Sequence, residues 1–94
     1  MTRDAAFYFA NLGADVSRCI TAAKQENEVR YKDSLSRAYR TLEELHKTAR
    51  PEAYEEGLLM LRGLALARAT PEALTSFQFS LDSLISVFSA NLIA

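Results

Sequence analysis

From Ala73 to Ala94 the chain carries a single charge, Asp82, in twenty-two residues. Thirteen of them are apolar, and five more are serines: Ser76, Ser80, Ser83, Ser86 and Ser89. The terminal helix of a small domain normally turns one face to water and loads it with Lys and Glu. This segment is instead built to be covered on more than one side. Such a surface calls for a protein partner, most simply a second copy of the same chain. The segment is long enough to span a bilayer, but its serines, Asp82, Gln78 and Asn91 argue against a membrane.

Ninety-four residues, 49% of them hydrophobic and with three Gly and two Pro, make one helix-favouring domain over 1–94. A domain this small buries a modest share of its surface and gains from association. The net charge of −1 leaves no global attraction for a phosphate backbone or an anionic membrane. The lone Cys19 has no internal disulfide partner and falls on an apolar stripe, so it reads as a buried reduced thiol. The opening MTRDAAFYFANLGAD, with Arg3 beside Asp4 and a polar break at Asn11, is a poor secretion signal. The expected location is therefore cytoplasmic.

Periodicity and punctuation predict an all-α, four-helix up-and-down bundle. The first helix runs from about Arg3 to Lys24, with Thr2 as its expected N-cap. Its stripe is Phe9, Leu12, Val16, Cys19, Ile20 and Ala23. Lys24-Gln25-Glu26-Asn27-Glu28 holds no Gly or Pro, but the loss of apolar residues there predicts a turn, with Asn27 capping the second helix. A continuous helix to Lys47 is the alternative, about 68 Å long. The second helix buries Tyr31, Leu35, Ala38, Leu42 and Leu45. Its outer face is expected to hold the i, i+4 pairs Asp33–Arg37 and Arg40–Glu44.

Pro51 opens the third helix, where its missing N–H costs nothing. From Gly57 onward this helix is apolar nearly all round, which predicts a central, largely buried element. Gly57 and Gly63 are expected where a neighbouring backbone comes close. Thr70-Pro71-Glu72 is the clearest boundary in the chain, and the connection is short enough to make helices three and four antiparallel neighbours. Helix four buries Leu74, Phe77, Leu81, Leu84, Ile85, Phe88 and Leu92. Phe79 lies on its far side with Ser76, Ser83, Ser86 and Ala90, and Val87 lies at the edge. Phe7 likewise points away from the stripe of helix one, beside Ala10 and Ala14. These misplaced apolar residues, in small-residue settings, mark an interface.

Three groups of polar residues are candidates for chemistry. Asn11, Asp15 and Arg18 share one flank of helix one and are placed to reach Arg37 or Ser34 of helix two. They read as a polar network that registers the two helices, or else as a ligand site. Glu43-Glu44-Leu45-His46 holds one Glu-x-x-His, where carboxylate-bridged di-iron bundles use two plus further glutamates, so no metal is expected. Walker A, GxGxxG, CxxC and GxSxG patterns are absent, and no cofactor is expected. Nucleic-acid binding would rest on Arg30, Arg37, Arg40 and Lys47, interleaved with acids and without stacking aromatics, and is disfavoured.

Arg40 and His46 fit the loose pattern Arg-x(4–6)-His, which resembles the motif of HEPN-type ribonucleases, a family of dimeric four-helix domains. The resemblance implies a pair that orients a 2′-hydroxyl and a phosphate for cleavage, or an inactive relative of the toxin–antitoxin kind. Six positions along a regular helix, however, set two side chains about 240° apart. Asn11 to Arg18 and Ser34 to Ala38 also resemble stretches of small bacterial helical proteins, Asn-Leu-Gly-Ala-Asp-x-x-Arg and Ser-Leu-x-Arg-Ala. That resemblance implies no activity. Phe9, Leu12-Gly13 and Val16 resemble the first helix of a tetratricopeptide repeat, but nothing recurs at 34 residues. The function expected from the whole chain is a non-catalytic, homodimeric protein–protein interaction module working through helix four.

Overall fold

The structure, a computed structural model, describes residues 3–93. It holds four helices, α1 (Ala5–Lys24), α2 (Glu28–His46), α3 (Pro51–Ala67) and α4 (Pro71–Ile93), and no strand among the described residues. Asp4, not Thr2, caps α1: its carboxylate accepts from the Phe7 amide at 3.0 Å. Thr2 lies outside the described residues.

The break between α1 and α2 is real and needs no glycine. The Asn27 amide donates to the Ala22 carbonyl, and the Glu26 amide donates to that of Ala23. This pair of bonds is a Schellman closure, with Glu26 in its left-handed position at φ 55°. Asn27 then caps α2 by accepting from the Arg30 amide at 3.1 Å. A second left-handed residue, Ala49 at φ 60°, turns α2 into α3. Thr70 caps α4 through the Ala73 amide.

The helices run up and down in turn. Phe9 packs on Phe88 and Ser17 accepts from Gln78, so α1 and α4 are antiparallel neighbours. Tyr31 on α2 sits beneath Arg68 at the end of α3, and His46 at the other end of α2 stacks on Tyr54 near the start of α3. In cross-section the bundle is a rhombus. α1 and α3 form the short diagonal and each meets all three other helices, whereas α2 and α4 do not meet among the described residues. The molecule measures 38 × 24 × 17 Å.

The core follows the expected stripes in α1 and α2: Phe9, Leu12, Val16, Cys19, Ile20, Tyr31, Ala38, Leu42 and Leu45 are buried. Leu35 and Ala23 are half-buried. In α4, Leu74, Leu81 and Leu92 are buried, but Phe77, Leu84, Ile85 and Phe88 only half so. α3 departs from expectation. It is central, but it is not largely buried: Leu58, Leu59 and Leu66 are 41, 54 and 74% exposed. Burial in α3 is confined to Ala53, Gly57, Met60, Leu61, Leu64 and Ala67, one face of the helix.

At Gly13 a Cβ would stand 2.0 Å from the side-chain atom Ile85 Cδ1. At Gly57 and Gly63 the close neighbours are side chains, not backbone: Leu12 and Leu42 on the first, Phe77 on the second.

Candidate functional site

The polar residues of the α1–α2 flank divide into a clamp and a groove. Asp15 is 3% exposed. One carboxylate oxygen accepts from Arg18 Nη1 at 2.9 Å, and the other accepts from Thr41 Oγ1 at 3.1 Å. Charge-assisted bonds to both oxygens offset the cost of burying this charge. Arg18 spans one turn of α1, while Thr41 reaches across from α2. Thr41 is the member that sequence reasoning missed, because nothing local ties it to a carboxylate twenty-six positions earlier. Its only sequence signal is its place beside the α2 stripe, next to Leu42.

Asn11 and Arg37, expected in the same network, are exposed and do not join it. With Arg40 and Thr41 they line an open groove of about 330 Å³ below the clamp. Ser34 lines a second groove of about 450 Å³ on the other side, with Arg18, Arg30 and Asp33. Both oxygens of Asp15 are engaged within the protein, so the clamp joins α1 to α2. Breaking it would leave a buried charge unpaired, which typically costs about 3–5 kcal/mol.

Arg40 and His46 attend different neighbours. Arg40 lines the groove beside Asn11. His46 lies flat on the Tyr54 ring, centroids 4.1 Å apart and planes at 19°. The expected Arg40–Glu44 pair is replaced by Lys47–Glu44 at 3.3 Å, and Asp33–Arg37 is not among the ion pairs of the described residues. No group of three or more His, Cys, Asp or Glu among the described residues is placed to hold a metal ion.

Cys19 is fully buried, with its Sγ 3.9 Å from the Tyr31 carbonyl. Burial, helped by the nearby Asp15 charge, pushes its thiol up to about 11. A thiol held so firmly protonated is a poor nucleophile. Burial also raises the Tyr31 hydroxyl, against the opposing pull of Arg68, whose guanidinium lies 3.7 Å above the ring. Arg68 also pairs with Glu28 at 2.7 Å, tying the end of α3 to the start of α2.

The apolar surface is the remaining candidate. Phe79 is 77% exposed and Val87 64%, with Ser76, Ser83 and Ser86 exposed around them. Phe7 is at the margin of exposure, packed edge-on against Tyr8 with Arg3 over its face. Because Phe9 is level with Phe88, Phe7 sits near the far end of α4, about 16 Å along the axis from Phe79. The structure therefore does not gather Phe7 and Phe79 into one patch. It adds Leu59 and Leu66 of α3, one turn either side of Gly63, where Phe77 of α4 rests. No helix among the described residues is long and apolar enough to cross a membrane. Comparison with known proteins finds no family model, no curated protein and no solved structure that matches the chain.

Proposed function

We propose that this protein is a non-catalytic interaction module that self-associates through the outer face of α4. The carrying observation is the exposure of Phe79 and Val87 on a helix that offers no lysine or glutamate between Ala73 and Ile93. Singly exposed apolar residues are ordinary, but Phe79 and Val87 together on a helix whose charges are Glu72 and Asp82 favour an interface. The serines support close approach by a second helix. The free, buried Cys19 suits a reducing, cytoplasmic setting.

Light scattering through a dilution series tests this. A dimer that dissociates on dilution is expected, and Phe79→Glu should shift it to monomer with an unchanged far-ultraviolet dichroism spectrum. A strict monomer at high concentration, or a Phe79→Glu chain that unfolds, overturns the reading.

A further inference from the structure

Four residues of α3 recur at i, i+3, i+4 and i+7: Glu55, Leu58, Leu59 and Arg62. They share one helix face and together line a depression of about 290 Å³ on the outside of the bundle. Glu55, Leu58, Leu59 and Arg62 are all exposed. Neither Glu55 nor Arg62 takes part in an ion pair among the described residues. An acid and a base, unpaired within the molecule, thus stand seven positions apart with two leucines midway between them.

This spacing is self-complementary. Turn a second copy of α3 antiparallel and lay it on the first, with the two-fold axis passing between Leu58 and Leu59. Glu55 then meets the partner's Arg62, and Arg62 meets the partner's Glu55. The leucines of both copies fill the centre. An isologous interface requires this reciprocity, each residue contacting a partner residue that contacts it back. Leu66 falls opposite the other copy's α3 N-terminus at Pro51.

Leu59 and Leu66 flank Gly63, where Phe77 of α4 rests, so they border the α3–α4 seam, and Val87 of α4 is also exposed. Two adjacent helices about 10 Å apart and about 30 Å long present a face of roughly 600 Å², at the lower end of the ~800 Å² per partner of a standard interface. α3 alone is too narrow to supply that area, so α4 must contribute.

We infer that the chain self-associates as an isologous two-fold dimer centred on α3, with Glu55 and Arg62 forming reciprocal pairs between subunits. The inference rests on the self-association reading but moves the centre of the contact to α3 and leaves Phe79, about 200° round α4 from the Phe77 that faces α3, outside it. The opposed charges fix register, and the central leucines and the α3–α4 seam supply the apolar area.

Charge reversal tests the geometry. Glu55→Arg places like charges at both pair positions of its own dimer, and so does Arg62→Glu. Each variant alone should dimerise roughly tenfold more weakly or worse. Mixed together, the two should form a heterodimer close to wild-type strength, because every pair is again opposed. Native mass spectrometry distinguishes the three dimers by mass. Both substitutions are at exposed positions, and circular dichroism verifies that each variant is folded. If wild type dimerises but neither variant weakens it, or the mixture shows no preference for the heterodimer, this geometry is overturned and self-association through α4 stands. If wild type is monomeric throughout, both proposals fall.

Discussion

At the scale of single residues, Gly13 has less room than either other glycine. Ile85 fills the space that any side chain there would need, with Cδ1 at 2.0 Å and Cγ1 at 2.9 Å from a notional Cβ. Ala is the better helix former by about 1 kcal/mol. Overpacking costs about 1–3 kcal/mol and outweighs that gain, because Cγ1 is too near the backbone to swing clear. Gly13→Ala should therefore lower stability by about 1 kcal/mol, and by no more than about 2, in urea unfolding, and adding Ile85→Val, which removes Cδ1, should recover part of the loss. An equally stable Gly13→Ala would mean α4 shifts freely against α1. The Asp15 clamp shows how much of such detail a sequence reveals. Asp15 and Arg18 were legible because they are one turn apart on one helix. Thr41 was not, because only the packing of α2 on α1 brings it there. The same packing leaves Asn11 and Arg37 outside.

At the scale of elements, the helix boundaries were legible wherever side chains punctuate the chain. Thr70-Pro71-Glu72 and Asn27 act as caps where their residue types predict. The end of α1 was harder to read because its left-handed position holds Glu26, not the glycine that usually marks it. A side chain there costs about 1–2 kcal/mol relative to its right-handed state. Glu26→Gly removes that strain while adding freedom to the unfolded chain, so the net gain should be about 0.5–1 kcal/mol. A raised thermal midpoint checks it, and a fall would show that the Glu26 side chain stabilises the turn. α3 misled for a different reason. Its apolar residues run nearly all round, and periodicity cannot tell a helix buried in its own core from one that buries only half. Leu58, Leu59 and Leu66 belong to the second kind.

For the whole molecule, the pattern of stripes was enough to give the four-helix architecture, but not which corners of the rhombus touch. The buried α1–α2 seam also sets an alkaline limit on stability. Cys19 is held protonated to about 11, against 9.0 for a free thiol, and Tyr31 is raised in the same direction. A raised folded-state pKa gives stability that is whole below pH 9 and lost as pH climbs through 11. For Cys19 that loss is about 2–3 kcal/mol. Urea midpoints should therefore fall between pH 9 and 11, and Cys19→Ala, though less stable at neutral pH, should fall less steeply. Parallel declines in the two proteins would remove the thiol from the account. The rhombus itself has a further consequence. Because α2 and α4 do not meet among the described residues, a change on one is not felt directly by the other, and their effects on stability should add. The polar surface of α2 and the apolar surface of α4 can therefore diverge separately, while α1 and α3, each touching everything else, hold the architecture still.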